Sequence, residues 1–338
     1  MAADAAEGEG KVFERKPTVE EARACQFHCW FPKFGPKHAG KVVSLDLPHD
    51  FVEYLKEDGI SVADDSRAFG EPASSSSGSE SPSSTEEEES DGEASSAEDV
   101  LASRFGDLIA KVDSAIGDLE GSVMPKLNWA CPKDATWMNP LSSLRCNNAE
   151  EIILMLKASD RVLHDMMHAF EDCADIDAGS ETDLKQVLTL KKWYDFDRRR
   201  ELRCFVVDGD LVGVSQRYLS EDAADLASEK EEILRKVKDF FCDVVKERFD
   251  GLSTYAFDIH ISKRDRITII DFNHSGESTN PLLYTWEELL HASGEAELRL
   301  CDSEDSRRTV PEKSVYGFPV DFNRLGDVLN SKDTDLFT

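Results

Sequence analysis

Apolar residues recur at helical spacing in three long segments of the chain. In residues 99–119 they fall at positions 101, 105, 108, 109, 112, 116 and 119, which line one face of a helix. The same period predicts helices over residues 149–163 and 230–249. A shorter helix is predicted over residues 48–59, where Pro and Asp stand near the start and Gly at the end.

Shorter apolar and β-branched segments predict strands, and two pairs of them are separated by hairpin-length loops. One loop contains Gly209, and the other is the four residues 263–266. Helices and strands are interspersed without a run of βαβ crossovers, so we predict an α+β fold with largely antiparallel sheets. The predicted strands are 42–47, 122–128, 186–194, 202–207, 211–215, 254–261 and 267–272.

Charge and composition narrow the possible partners. The chain has 338 residues and a formal net charge of −30, a field that repels nucleic-acid phosphates and anionic membranes, so we expect neither as a direct partner. No apolar run approaches the ~18 residues of a membrane span, and the N-terminus lacks the basic and apolar regions of a signal peptide. We therefore expect a soluble cytoplasmic protein and a monomer. Its eight scattered cysteines are expected to be reduced thiols.

Much of the negative charge lies in one segment. Residues 71–99 hold ten acidic residues, eleven serines and no Lys or Arg, so without them the net charge changes from −30 to −20. A segment with so few apolar side chains cannot offset the entropy of folding. We predict a disordered acidic linker here.

Three oxygen-bearing side chains fall on one predicted hairpin. If residues 255–261 and 267–272 pair around a four-residue loop, Asp258 lies directly opposite Asp271. Opposed residues have Cβ atoms ~4.5–5.5 Å apart, where two carboxylates repel each other, so we expect a cation between them. Asn273 shares the face of Asp271 because side chains alternate along a strand. Three such oxygens suit Mg²⁺, which keeps its remaining positions for water and substrate phosphates.

The alternative interpretation is that Asp258 points outward and Asp271 caps the end of a strand. Apolar neighbours such as Phe257 and Ile270 make a solvated face the weaker explanation. A phosphate-binding lysine is expected near such a metal, and Lys126 is the candidate because it lies in a strand-like apolar run. An exposed lysine on an edge strand explains the same pattern.

Basic and aromatic residues adjoin one another after the strand-like run 187–190. Lys191, Lys192 and Trp193 are adjacent, and this combination suits a purine and its phosphates. Glu201 and Arg203 lie on one face of the next strand, where they serve either the same ligand or a structural ion pair.

Several longer motifs together resemble the cell division cycle protein 123 family. The resemblance covers nearly the whole chain except residues 1–20 and the acidic linker. Each motif is weak alone, and the set is specific. The motifs are WFPKF at 30–34, KLNWACPKDA at 126–135, LKKW at 190–193, ELRCFV at 201–206, GVSQR at 213–217, IDFN at 270–273, LLYTWEEL at 282–289 and GFPVDF at 317–322.

That resemblance implies a divergent ATP-grasp fold, in which two α+β lobes with largely antiparallel sheets clamp ATP and Mg²⁺. It implies phosphate contacts for Lys126 and Arg203, an adenine edge at 191–193, and a loop beside the phosphates at 128–134. The implied metal ligands are Asp258, Asp271 and Asn273. The full candidate set is Lys126, Asn128, Trp129, Ala130, Asp134, Lys191, Lys192, Trp193, Glu201, Arg203, Asp258, Asp271 and Asn273.

The resemblance also implies a domain organisation and a partner. We expect a disordered tail at 1–20, an N-terminal segment at 21–70 on the first lobe, the linker, a first lobe at 100–185 and a second lobe with the metal site at 186–330. Members of the family assemble translation initiation factor 2 by binding its gamma subunit, so an ATP-binding assembly chaperone is the first hypothesis. An ATP-grasp ligase or kinase that forms an acyl phosphate is the second, and a scaffold with a relic nucleotide site is the third.

Overall fold

Two β-sheets organise the part of the chain that the computed structural model describes, namely residues 16–57, 97–139, 141–176, 184–276, 278–292 and 294–301. The first sheet has the strand order β1-β3-β2, and the second has the order β7-β6-β4-β5-β8. Every named pairing is antiparallel except β5 with β8, which confirms the predicted α+β fold. The strands are β1 (Val42–Asp46), β2 (Val123–Leu127), β3 (Val187–Lys192), β4 (Glu201–Val207), β5 (Asp210–Gln216), β6 (Tyr255–Ile261), β7 (Ile267–His274) and β8 (Glu297–Arg299).

Eight α-helices accompany the sheets in the described ranges. They are α1 (Val19–Ala24), α2 (Phe27–Ala39), α3 (His49–Lys56), α4 (Ala97–Asp118), α5 (Ala149–Lys157), α6 (Asp160–His168), α7 (Lys230–Phe240) and α8 (Trp286–Leu290). None of these helices combines the length and the hydropathy that a bilayer span requires.

Two of the predicted helices end earlier than their apolar period. The helix predicted over 149–163 is divided into α5 and α6, because the Ser159 hydroxyl accepts a hydrogen bond from the Val162 amide and caps a new helix. The helix predicted over 230–249 ends as α7 at Phe240 and continues as a π-helical turn, Phe241–Val245. The apolar spacing therefore locates these segments correctly, while side-chain capping and backbone geometry decide their ends.

Each sheet has its own hydrophobic core. In the first core, Leu188 and Leu190 of β3 pack with apolar residues of α3, α4 and α5. In the second core, Trp30 and Phe34 of α2 pack on Phe272 of β7, with ring centroids 5.1 and 5.3 Å apart. The N-terminal helix α2 is thus held by aromatic contacts to the second sheet.

This arrangement divides the chain differently from the predicted ranges. β3 belongs to the first sheet, so the predicted boundary at 185/186 falls one strand too early. The N-terminal segment predicted at 21–70 is shared, since β1 and α3 join the first core while α2 joins the second. Helix α4 begins at Ala97, inside the predicted linker. Residues 1–15, 58–96 and 302–338, which include most of the predicted tail and linker, lie outside the described residues.

Candidate functional site

A cavity of about 230 Å³ lies between the two sheets and is lined by both of them. Strands β2 and β3 contribute Lys126 and Lys191 from the first sheet, and β7 contributes Ile270 and Asp271 from the second. The two lysines reach across the cleft. The Lys126 ammonium lies 2.6 Å from an Asp271 carboxylate oxygen, and Lys191 donates a hydrogen bond of 2.9 Å to the Ile270 carbonyl oxygen. The cleft is therefore bridged by polar contacts from one sheet to the other.

The β6–β7 hairpin brings the predicted carboxylates together. Asp258 pairs with Asp271 in the sheet, which confirms the predicted register at that position. Beyond this pair the register shifts by one residue, so that Ile261 pairs with Ile267 and the loop has five residues, not the four predicted. The shift is a β-bulge that includes Ile270. This residue has no cross-strand partner in the sheet, and its carbonyl is the one that accepts the Lys191 hydrogen bond.

Asp258 is buried among cations. Its carboxylate accepts two hydrogen bonds from Arg203, at 2.7 and 2.9 Å, and one from Arg217 at 2.9 Å. Only 1% of the Asp258 side chain is exposed. Burial alone would raise the pKa of Asp258, but the two guanidinium groups outweigh it and hold that pKa well below its usual range. Each of the opposed carboxylates thus has its own cationic partner, Arg203 with Arg217 for Asp258 and Lys126 for Asp271.

Asp271 and Asn273 retain polar atoms without partners. Asp271 Oδ1 and Asn273 Nδ2 are both buried, and neither has a hydrogen-bond partner among the described residues. A half-turn of the Asn273 amide would place its oxygen there instead. Within the described ranges, no group of three or more His, Cys, Asp or Glu residues has a geometry that could hold a metal, so a set of three side-chain ligands at this position includes the Asn273 amide. Two carboxylates and an amide oxygen fit Mg²⁺, which prefers few protein ligands and keeps several waters.

The two cleft lysines differ electrostatically although both are buried. Burial disfavours the charged form of Lys126, but the carboxylate of Asp271 outweighs this and raises the Lys126 pKa. No carboxylate of the described residues is bonded to Lys191, and burial together with the charge of Lys126 lowers the Lys191 pKa to about 8. An anionic ligand in the cleft would therefore stabilise the charged form of Lys191 more than that of Lys126.

Aromatic side chains form the other end of the cleft. Trp193, Tyr194 and Phe196 line it after β3, and we call these three residues the aromatic end. Tyr194 stacks on Phe196 with centroids 5.7 Å apart, and Phe196 stacks on His260 at 4.1 Å. Lys192 lines the same end and forms an ion pair with Glu120. This end provides a flat apolar surface next to a lysine.

At the opposite end, Lys126, Arg217 and Asp271 line the cleft, and Asp258 with its partner Arg203 adjoins them through Arg217. We call these five residues the charged end. A groove of about 800 Å³ continues from it toward α6. Arg203, Asp258 and Asn273 line this groove together with Trp129 and Ala130.

Three predicted site residues have side-chain polar groups that bond to other parts of the protein. Asn128 is buried, where its amide donates to Lys185 and Gln186 and accepts from the Val187 amide. The Asp134 carboxylate accepts hydrogen bonds from Ser159 and from the Arg161 amide, so it caps α6. Trp129 borders the groove, but its indole N–H donates to Ala22 and its ring packs on Phe170. These contacts give Asn128, Trp129 and Asp134 structural roles in the described residues.

Glu201 is buried at the start of β4, and burial raises its pKa despite the charge of nearby Arg217. Neither the cleft nor the groove is lined by Glu201.

Sequence reasoning missed several cleft residues. The most important is Arg217, which directly follows β5 and bonds to Asp258. Its position in the GVSQR motif was visible, but nothing in the spacing indicated that β5 would carry it to the face of β6 that bears Asp258. The other missed cleft residues include Tyr194, Phe196 and Tyr218, while Lys133 belongs to the loop predicted beside the phosphates.

Known proteins resemble this chain over most of its length. A family model described as D123 matches residues 30–325. A protein of Xenopus laevis described as a translation initiation factor eIF2 assembly protein is 35% identical over 314 residues, which is 90% of this chain and 90% of that protein. A Kluyveromyces lactis protein with the same description is 30% identical over 330 residues, covering 91% of this chain and 88% of its own. The solved structure of Cdc123 from Schizosaccharomyces pombe matches with a TM-score of 0.64 and 30% identity, covering 86% of this chain and 100% of that one.

Proposed function

The chain belongs to the D123 family, and from that premise we propose that it is an ATP- and magnesium-binding factor that assembles translation initiation factor 2 in the cytoplasm. Membership confirms the resemblance that the motifs indicated. The relatives' description as assembly proteins for this factor supports the role. The observation that carries the nucleotide part of the proposal is the cleft between the sheets, where buried cations and carboxylates face each other beside an aromatic end.

The two ends of the cleft match the two parts of a nucleotide. Lys126, Arg203 and Arg217 would hold phosphate oxygens through charge-assisted hydrogen bonds. Asp258, Asp271 and Asn273 would hold Mg²⁺, and the buried unpartnered atoms of Asp271 and Asn273 support this assignment. The metal would supply charge neutralisation for the phosphates.

The base would lie toward the aromatic end. Flat apolar side chains there suit an adenine ring, which gains from stacking and from exclusion of water. Lys191 and Lys192 border this surface and would reach polar atoms of the base or the nearer phosphate. The proposed ligand is thus ATP held between two α+β lobes, which is the ATP-grasp arrangement that the motifs imply.

We propose the gamma subunit of translation initiation factor 2 as the direct partner. The test is a pull-down from lysate of the matching organism, with the purified protein as bait and the gamma subunit detected by immunoblot. Gamma recovered with the protein and enriched by Mg·ATP supports the proposal. Failure to recover gamma in either condition, with the bait folded and ATP bound, would contradict the chaperone role.

A second function is favoured by the groove at the charged end. It shares Lys126, Arg217 and Asp271 with the cleft, so a second substrate there would lie next to the phosphates. That geometry suits a ligase or kinase that transfers phosphate to a carboxylate. Steady release of ADP from ATP by the protein alone would favour this enzyme, whereas ATP binding without turnover favours the assembly factor.

A further inference from the structure

The charged side chains of the charged end are all paired with one another. Lys126 is paired with Asp271 across the cleft, with side-chain exposures of 3% and 21%. Arg203 and Arg217 are both paired with Asp258, which is 1% exposed. The groups that would hold phosphate are therefore bonded to the groups that would hold the metal.

Because of this pairing, the metal ion and the phosphate groups would each compete with a residue of the site for that residue's ion-pair partner. A metal ion at the unpartnered Asp271 Oδ1 draws the carboxylate charge away from Lys126, which is bonded to Oδ2, and leaves the buried ammonium less compensated. Phosphate that binds Lys126 alone does the same to the Asp271 carboxylate. Leaving one member of a buried pair without compensation is strongly unfavourable. When metal and phosphate arrive together, every charge in the site exchanges one partner for another.

Resting on the proposed function, we propose that this internal ion pairing couples the two ligands, so that the metal and ATP bind cooperatively by partner exchange. Lys126 and Asp271 are the switch pair because they come from different sheets, β2 and β7. Their exchange replaces a direct bond between the sheets with a bond through the ligand. Coupling of this kind commonly amounts to about 5–150-fold in affinity.

The decisive variant is Asp271→Asn studied with ATP in EDTA, which removes divalent metal. The neutral amide releases Lys126 from its ion pair but keeps an oxygen that accepts its hydrogen bond. Partner exchange predicts that this variant binds metal-free ATP ~10-fold more tightly than the wild type does. If Asp271 were only a metal ligand, metal-free ATP affinity would rise only by what the loss of one nearby negative charge gives, less than about threefold.

Asp165→Asn is the matched control for the lost negative charge. The Asp165 carboxylate acts on Lys126 through space and is hydrogen-bonded to the Ala130 backbone. Replacing it removes a nearby charge without breaking the switch pair. We expect the affinity of Asp165→Asn for metal-free ATP to rise by less than about threefold, because Asp165 acts on Lys126 only through space.

The reciprocal variant is Lys126→Met, studied with Mn²⁺ alone and no nucleotide. Methionine keeps most of the volume of the lysine stem while leaving the Asp271 carboxylate for a cation. Partner exchange predicts ~10-fold tighter Mn²⁺ binding than in the wild type, measured by electron paramagnetic resonance. This arm decides the matter if Asp271→Asn does not fold, and melting curves of both variants identify that case.

The outcomes separate the two proposals. Metal-free ATP binding that is ~10-fold tighter in Asp271→Asn and less than about threefold tighter in Asp165→Asn supports partner exchange, as does ~10-fold tighter Mn²⁺ binding by Lys126→Met. Equal tightening in the two Asp variants would be a plain charge effect and contradicts partner exchange. Unchanged or weaker binding in both arms, with wild-type protein that binds Mg·ATP, overturns partner exchange and leaves the nucleotide site intact. Wild-type protein that binds no Mg·ATP overturns the proposed function itself.

Discussion

Different interactions stabilise the charged end and the aromatic end of the cleft. At the charged end, buried ions are held by each other, as in the bidentate contact of Arg203 with Asp258. At the aromatic end, Tyr194 and Phe196 are partly exposed and stacked on each other, and Phe196 also stacks on the buried His260. Ion pairs are strongly directional and depend on both partners, whereas stacked rings tolerate small shifts. Substitutions at the two ends should therefore differ in the size of their effects and in whether they change stability or ligand affinity.

The largest expected effect is on folding, at the charged end. Asp258→Ala removes the shared partner of Arg203 and Arg217 and leaves both guanidinium groups buried. We expect the free energy of unfolding to fall by about 3–5 kcal/mol, measured by urea denaturation. The control is Asp239→Ala, which breaks an exposed pair with Arg235 on α7 and should cost less than about 1 kcal/mol. Equal losses in the two variants would show that the buried cluster does not stabilise the fold.

The next largest effect is on ligand affinity, which should respond differently to substitutions at the two ends. Lys126→Met should weaken ATP binding by ~10–100-fold, because a charged hydrogen bond contributes about 1.5–3 kcal/mol, while adenosine binding stays unchanged. Phe196→Ala should weaken ATP and adenosine by the same factor, roughly tenfold, because it removes stacking area that both ligands use. Calorimetric titration of both ligands into both variants measures the four affinities. A Phe196→Ala variant that lost affinity for ATP alone would move the base away from the aromatic end.

A smaller effect is expected from pH at the aromatic end. Burial lowers the pKa of His260 to about 4, whereas the unfolded chain binds the same proton near pH 6.5. Between these values the unfolded state holds more protons, so stability falls as the pH drops from about 6.5 to about 4. At pH 5 this amounts to about 1–2 kcal/mol.

His260→Phe keeps the stack on Phe196 and removes the titrating group. Urea denaturation at pH 7 and pH 5 should show a smaller acid loss in this variant than in the wild type, by that same amount. Identical acid losses would mean that His260 is not held neutral by the fold.

The smallest effect concerns the segment that joins α2 to β1. Gly40 has a φ of +79°, and a Cβ atom there would lie 3.2 Å from a ring carbon of Tyr194. Gly40→Ala should destabilise the protein by about 1 kcal/mol, because an L side chain strains this backbone. Gly117→Ala in α4 is the control, since its Cβ meets open space and alanine favours helix by about 1 kcal/mol. Melting shifts of opposite sign are the expected result, and shifts of the same sign would contradict it.

The site was partly predictable because strand geometry is regular. Side chains alternate with a period of two, so a short loop was enough to place Asp258 opposite Asp271. The bulge at Ile270 was not predictable, because it depends on tertiary contacts such as the hydrogen bond from Lys191. Helix α2 was missed because Pro32, Gly35 and Pro36 are helix breakers, and the helix persists through a kink at Gly35 because its aromatic face is buried.

Which residues lie in the site was more predictable from the sequence than which groups those residues bond to. Sequence reasoning expected a cation between Asp258 and Asp271, and the folded chain supplies separate cations from three elements. Asn128 and Asp134 sit in a motif next to Lys126, yet their side chains serve a turn and a helix cap. Proximity in sequence to a site residue does not determine the direction of a side chain, which the local backbone decides.

Calorimetric titration of Mg·ATP into the wild type and into Asn273→Ala tests whether the charged end binds ATP through a metal ion. Asn273 takes part in none of the ion pairs, so its loss removes a proposed metal ligand while the charged end stays paired. Asn280→Ala is the matched control, because Asn280 borders the same groove without being a proposed ligand. We expect the wild type to bind Mg·ATP, Asn273→Ala to lose ~10-fold or more in affinity, and Asn280→Ala to change little. Equal Mg·ATP affinity in all three proteins would contradict this expectation.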